Sequence, residues 1–259
     1  MSETVITSRD NPLFKRLKKL AESARARREA QMTLLDGEHL LAAYLDAGGQ
    51  PYTLVRAESF DAGRFEQWRG RCPAAKAIAL PDALFDELTP VSTPTGLLAE
   101  SAWLSPTASE DTPLIIVLED IQDPGNLGSM LRTGAAAGAT RAVLSKGCHD
   151  PWSPKALRGG QGAQFVLPIE RGVDVPAWCA QFKGQSLALA LAEDRSVFSS
   201  DLTGPLALIV GNEGAGLSDD VRAAATATVQ IPMPGKMESL NASAALAIAV
   251  FEAVRQRLV

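Results

Sequence analysis

A chain of 259 residues with 46% hydrophobic content holds one large domain or two smaller ones around packed cores, which excludes a disordered chain. No apolar run reaches the ~20 residues that span a bilayer, and the opening MSETVITSRD has neither the basic nor the apolar region of a secretory leader, so a cytoplasmic, membrane-free protein is expected. The net charge of −5 argues weakly against a nucleic-acid partner, and three scattered cysteines, Cys72, Cys148 and Cys179, suggest neither a disulfide framework nor a metal spacing, so no metal is expected.

The charge is unevenly spread: between Arg9 and Arg28 lie eight basic residues against two acidic ones. Asn11 as N-cap, Pro12 at the first helical position and Leu13, Leu17 and Leu20 on one face predict a single helix over NPLFKRLKKLAESARARREAQ. Its other face is cationic and reads either as a solvated surface or as a polyanion-binding arm, with Lys15, Arg16, Lys18 and Lys19 the candidate contacts. Residues 1–30 are set apart as this basic helix. From 31 to 100, strand-like runs (TLLDG, YTLVRA, KAIAL, GLLAE) alternate with helical ones (EHLLAAYLDAG, SFDAGRFEQWRG, PDALFDELT), the pattern of a small α/β domain. Residues 101–113, SAWLSPTASEDTP, read as a linker.

A second α/β pattern occupies 114–259. It runs LIIVLED (strand), GNLGSMLRTGAAAG (helix), RAVLSK (strand), SPKALRGG (short helix), QFVLPIE (strand) and a helix near Pro176 to Phe182. Strands SLALALA, PLALIVG and ATVQIPM follow, and a helix from about Ser239 to Leu258 closes the chain. Continuously apolar strands between helices mean a mostly parallel sheet covered on both faces. Ligands of such sheets sit beyond the carboxyl ends of the strands, which singles out the loops after Asp120, Val210 and Pro232.

The loop after Val210, GNEGAGL, looks like a phosphate cradle but fails both phosphate signatures. It lacks the lysine of GxxxxGK[ST], and its glycine order, Gly211, Gly214, Gly216, is not GxGxxG. Glu213 inside the loop would repel a pyrophosphate. Backbone that comes this close suits a flat heterocycle, so an adenosine with a positive centre fits better than a nucleoside triphosphate. The alternative is an ordinary turn with Asn212 or Gly214 at positive φ. Downstream, Pro232, Pro234 and Gly235 stiffen a loop ahead of a helix that, from Ala242 to Val250, has almost no polar face and must be buried, a subunit interface being a natural place. Ser239 and Asn241 can cap it. His39 and His149 lie outside these motifs and read as structural, and the CHD run is too compact for a nucleophilic triad.

Three blocks, LEDIQDPGNLGSMLRTGAAAGA, LIVGNEGAGL and IPMPGKMESLNASAALAI, resemble in order and spacing the SpoU (TrmH-like) family of RNA 2′-O-ribose methyltransferases, in the SPOUT class, with Ala242 where valine is commoner. NPLFKRLKKL and LLDGEHLLAAYL resemble the family's substrate-binding domain. The resemblance implies an α/β chain: a C-terminal parallel-sheet domain with a trefoil knot, plus a smaller N-terminal α/β substrate-binding domain. It implies S-adenosyl-L-methionine as cofactor, RNA as partner and a homodimer whose active site borrows from the second subunit. The active site it implies is Asn126, Arg132, Glu213, Ser239 and Asn241. Gly211, Ile231 and Leu240 would touch the cofactor largely through backbone, with Met233 and Gly216 nearby. SPKALRGGQGA sits where the family has a Lys and Arg stretch, making Lys155 and Arg158 candidate RNA contacts beside Lys15, Arg16, Lys18 and Lys19, although Gly159 to Gln161 depart from its small polar residues.

A guanidinium rarely gives up its proton, so Arg132 is expected to grip the target phosphate and lower the hydroxyl's pKa, while Asn126, Ser239 and Asn241 orient the ribose and shape the loops. A separate N-terminal domain with a basic helix fits ribosomal RNA better than transfer RNA. A relative that kept the fold without the chemistry would be expected to lack Arg132 or Asn241, and both are present. A nucleotide-dependent enzyme using the glycine loop is the remaining alternative.

Overall fold

The computed structural model describes residues 3–89, 94–108, 112–191 and 193–258. They form two compact units, one of residues up to Leu104 together with Asp150–Phe165, the other of Ser105–His149 together with Val166 onward.

The first unit opens with β1 (Thr4–Val5), α1 (Pro12–Glu22), α2 (Ala24–Ala30), β2 (Met32–Asp36) and α3 (Glu38–Asp46). It continues with β3 (Thr53–Ala57), α4 (Ala62–Arg71), β4 (Lys76–Leu80), α5 (Asp82–Asp86) and β5 (Leu97–Ala102). The sheet order is β1-β4-β3-β5-β2, with β5 antiparallel to both neighbours and the other pairs parallel. Asn11 caps α1 by accepting from the Leu13 and Phe14 amides, and Phe14, Leu17 and Leu20 bury against Leu34, Val55 and Ile78 of the sheet.

The single helix expected over 11–31 is broken at Ser23, whose extended backbone ends α1 while its hydroxyl caps α2 by accepting from the Ala26 amide. The break turns Arg27 inward. Its guanidinium donates to the Leu20 and Ala21 carbonyls, acceptors that the end of α1 leaves open, and pairs with Asp150 at 2.7 Å. Much of the cationic face is also engaged: Lys15 pairs with Asp10, Arg16 with Glu100 and Lys18 with Glu87. Lys19 is exposed and has no ion pair among the described residues.

The second unit contains β6 (Leu114–Leu118), α6 (Pro124–Ala136) and β7 (Arg141–Ser145). After α7 (Pro154–Gly160) and α8 (Ala163–Val166) come β8 (Ile169–Val173), α9 (Val175–Gln181), β9 (Gln185–Leu189), β10 (Leu206–Val210), α10 (Asp219–Ala224), β11 (Ala227–Val229) and α11 (Ala242–Arg257). Six strands, all parallel, lie in the order β11-β9-β10-β6-β7-β8. Every residue of β6 and β10 is buried, which is why both runs are apolar throughout. Val175 and Cys179 of α9 and Val221 of α10 cover one face, against Val117, Val143 and Ile209. On the other, α11 packs on β10 and α6, and α6 approaches β6 so closely that a Cβ at Gly134 would stand 2.7 Å from Ile116 Cδ1.

Three expectations change. QFVLPIE begins in α8 and becomes strand only at Ile169, because an apolar run without a period reads equally as buried helix or strand. The last helix starts at Ala242 and not Ser239, since Asn241 caps it, and ATVQIPM is strand over Ala227–Val229 alone. The linker and catalytic-domain boundaries also move. β5 runs on to Ala102, Trp103 stacks on Trp152 with ring centroids 5.2 Å apart, and Phe165 meets Tyr44 edge-on. Asp150–Phe165, carrying α7, thus packs into the first unit's second core with Leu35, Leu54 and Phe65. Residues 109–111 of the expected linker lie outside the described residues.

Arg27 and Asp150 have side chains only 4% and 8% exposed. Taking the guanidinium from a buried carboxylate costs ~3–5 kcal/mol. Arg27→Met is therefore expected to lower the urea midpoint sharply, and Arg27→Met with Asp150→Asn to recover part of the loss.

Candidate functional site

β6 and β10 are neighbours, yet the chain leaves β6 toward β7 and β8, whereas β9 and β11 lie on the far side of β10. Strand order reverses between them, and the crevice of an open α/β sheet forms beyond the carboxyl ends at such a point. The loops 119–123 and 211–217 meet there.

The second loop folds back on itself. Asn212 and Gly216 exchange both backbone hydrogen bonds, at 3.0 and 2.9 Å, and the residue at positive φ is Gly216, at 71°, and not Asn212 or Gly214 as in the ordinary-turn alternative. A Cβ at Gly211 would lie 2.4 Å from the Gly216 carbonyl, so only glycine allows the approach. Asn212 Oδ1 accepts from the Gly214 and Ala215 amides and its Nδ2 donates to the Asp120 carbonyl at 2.8 Å. Ser218, the cap of α10, donates its amide and hydroxyl to Glu119.

Glu213 reaches across to the first loop. It accepts from the amides of Gln122 at 3.4 Å and Asp123 at 3.2 Å, and from Asn126 Nδ2 at 3.0 Å. Partial burial pushes its carboxyl up, but the donors, Asn126 foremost, outweigh this and hold it below its ordinary range. Asn126 Oδ1 in turn accepts from Asn241 Nδ2 and Ser243 Oγ, both at 3.1 Å. Asn241 Oδ1 caps α11 by accepting from the Ser243 and Ala244 amides. One hydrogen-bonded chain thus joins the three sequence blocks.

Beside it lies a cavity of about 370 Å³ between the glycine loop, Leu189–Leu191 after β9 and the segment after β11. Gly211, Gly216, Ile231, Met233 and Leu240, the five expected cofactor contacts, all line it, as do Glu213 and Ser239. Its size falls within the ~300–1,000 Å³ of small-molecule sites. Arg222 is the one cation among the described lining residues, and it is paired with Glu193 at 2.6 Å. Apolar walls, close glycine backbone and an ionised carboxylate suit an adenosine with a positive centre; a pyrophosphate would meet Glu213 with no unpaired cation to offset it. No group of three His, Cys, Asp or Glu among the described residues could hold a metal.

Asn126 and Asn241 do not line the cavity, and reach it through Glu213. Arg132 is exposed on α6 and makes no hydrogen bond or ion pair among the described residues. Lys155 and Arg158 sit on α7 in the first unit, Lys155 exposed and Arg158 3.8 Å from Asp36. His39 is exposed on α3, His149 donates its backbone amide to Ile121, and neither lines the cavity. The Cys148 thiol, pushed up by burial, donates to the Leu118 carbonyl. Sequence reasoning overlooked Asn212, Arg222, Glu119 and Ser243. Ser243 alone carried a signal: a hydroxyl two residues beyond a capping asparagine.

The model of the SpoU rRNA Methylase family matches residues 113–251. An uncharacterized tRNA/rRNA methyltransferase of Synechocystis sp. is 32% identical over 97% of this chain and 94% of its own. The 23S rRNA (guanosine(2553)-2′-O)-methyltransferase RlmP of Bacillus subtilis is 30% identical, covering 95% of this chain and 97% of its own. The crystal structure of an AdoMet-bound rRNA methyltransferase from Sinorhizobium meliloti matches with a TM-score of 0.82 at 29% identity, over 97% of each chain.

Because the Glu213 carboxyl is lowered in the folded protein, the stability it contributes is present above its ordinary value of 4.5 and is lost as pH falls through the lowered value. Calorimetry below about pH 4.5 is expected to show the wild-type Tm dropping more steeply than that of Glu213→Gln. Parallel curves would contradict the hydrogen-bonded carboxylate.

Proposed function

The chain belongs to the SpoU rRNA Methylase family, and from that premise we propose that it methylates a ribose of ribosomal RNA, in the cytoplasm and as a homodimer, with the residues above in the roles set out here. The reaction class is that of the family: transfer of a methyl group from S-adenosylmethionine to a 2′-hydroxyl of RNA. The observation that carries the site reading is the Glu213–Asn126–Asn241 chain beside a cavity lined by Gly211, Ile231 and Leu240.

S-adenosylmethionine, when bound, supplies a methyl group made electrophilic by a positive sulfur. Gly211, Gly216, Ile231, Met233 and Leu240 would hold its adenosine through main-chain groups and apolar walls, and ionised Glu213 matches the sulfonium. Aligning a hydroxyl oxygen with the methyl carbon and sulfur is the main task, since positioning supplies up to ~7–11 kcal/mol. Asn126, Ser239 and Asn241 orient the ribose. Arg132, unpaired among the described residues, is available to take an RNA phosphate and make the hydroxyl more acidic. Its guanidinium stays protonated, so the hydroxyl's proton leaves to a phosphate oxygen or water. Arg132→Lys is expected to abolish turnover with little change in cofactor affinity; near-normal turnover would refute this role.

The unit that ends at Leu104 and includes Asp150–Phe165 is the RNA-binding part of this reading, carrying Lys15, Arg16, Lys18, Lys19, Lys155 and Arg158. The rest is the catalytic part, with the knotted threading of its C-terminal chain included in the proposal. Ribosomal relatives of full length support an rRNA target. Mass-spectrometric mapping of ribose methylation in ribosomal and transfer RNA, with and without the gene, tests it: an absent mark in ribosomal RNA is expected, and one confined to transfer RNA would overturn the target.

The dimer has its own support. Leu246, Ala249, Val250 and Ala253 of α11 are buried, while Ala244, Ile248 and Phe251 make an exposed apolar stripe at helical spacing. Further along, Glu252 binds Arg255 through both carboxylate oxygens, so no unpaired charge interrupts the stripe. Such a face suits a second copy of the same helix. The helix packs against α6, whose Arg132 is absent from its own chain's cavity lining, which supports a site completed across the dimer. Phe251→Glu is expected to give a monomer by light scattering at micromolar concentration, with turnover lost. An active wild-type monomer would refute the dimer.

A further inference from the structure

Ser243 is the second residue of α11, and its side chain is buried between two asparagines. Its Oγ stands 2.9 Å from Asn241 Oδ1 and 3.1 Å from Asn126 Oδ1. A hydroxyl has one proton, and a carbonyl oxygen has two lone pairs. Asn241 Oδ1 already receives the backbone amides of Ser243 at 2.9 Å and Ala244 at 3.4 Å. Apart from Ser243, Asn126 Oδ1 receives only Asn241 Nδ2 among the described residues, so the Ser243 proton completes that acceptor.

These bonds have a direction. The two backbone amides can only donate, so Asn241 must turn its oxygen to them and its NH2 to Asn126. Asn126 must then turn its oxygen to Asn241 and Ser243, which leaves its NH2 for Glu213 at 3.0 Å. With Ser243 silent, one donor alone opposes the amide turning over, and the inverted amide would set an oxygen against a carboxylate, two acceptors facing each other.

We propose that Ser243 is a positioning residue for methyl transfer: its hydroxyl holds the Asn126 carboxamide in the orientation that donates to Glu213, and so fixes the Glu213 side chain at the cavity wall. This rests on the methyl-transfer reading of the site. Ser243 touches neither the cavity nor, in that reading, the reacting atoms, and acts through Asn126.

The test compares wild type, Ser243→Ala and Ser243→Thr. Loss of one hydrogen bond is expected to lower the Tm of Ser243→Ala at neutral pH by at most about 5 °C, leaving it folded at assay temperature. Its kcat is expected to fall about tenfold, the rate equivalent of one hydrogen bond. The Kd for S-adenosylhomocysteine, by calorimetry, is expected to stay within about twofold, since the lining groups remain. In cofactor-free protein the acid-dependent part of the Tm contributed by Glu213 is expected to shrink. Ser243→Thr, which keeps the hydroxyl, is expected to restore both rate and acid sensitivity. Wild-type kcat and acid sensitivity in Ser243→Ala, or a loss that threonine does not restore, would overturn the positioning role alone. A wild-type protein that transfers no methyl group to any RNA would overturn it together with the reading on which it rests.

Discussion

The carboxamide of Asn126 joins elements that the sequence keeps far apart. It sits in the first turn of α6, binds Glu213 of the glycine loop on one side, and Asn241 and Ser243 at the start of α11 on the other. Each such bond is worth only ~0.5–1.5 kcal/mol net, and Glu213 and Asn241 are exposed, so the hold on Asn126 comes from several bonds converging on one carboxamide. Fixing Asn126 fixes a carboxylate at the cavity wall, and the cavity's charge follows from that.

The arrangement needs a rigid base, and the sheet provides it. β6 and β10 are buried throughout, and their loops emerge at the one place where strand order reverses. Stability and reactivity therefore occupy different parts of the same strands: apolar side chains within the sheet, polar groups just beyond its carboxyl ends. Gly211 is the transition, since its missing Cβ lets the polar loop close onto the end of an apolar strand.

In the first unit most of the cations of the basic stretch have partners within the unit. Arg27 terminates α1 and binds Asp150, and three cations of the basic helix are already engaged by Asp10, Glu87 and Glu100. The basic stretch is thereby largely paired at the surface, the buried Arg27–Asp150 pair apart. Lys19 and Lys155 remain exposed, one from the N-terminal helix and the other from α7, which the sequence alone assigned to a different domain.

Local chemistry made much of this legible. Asn11 followed by Pro12 marked a helix start, unbroken apolar runs marked buried parallel strands, and the glycine order with Glu213 argued against a phosphate cradle. The residues expected to touch an adenosine do line one cavity: Gly211 follows β10 directly, and Ile231, Met233 and Leu240 lie in the loop between β11 and α11. What the sequence could not decide were relations between distant residues. Arg27 meets Asp150 more than a hundred positions later, and Asp150–Phe165 is placed with Trp152 stacked on Trp103. Asn241 was readable as a cap or as part of a site, and the tertiary structure makes it both: its oxygen caps α11 while its NH2 binds Asn126. Helix starts, strand burial and turn geometry are set by near neighbours and are written in order along the chain. Ion pairs, stacked rings and hydrogen-bonded chains need partners that only folding brings within reach.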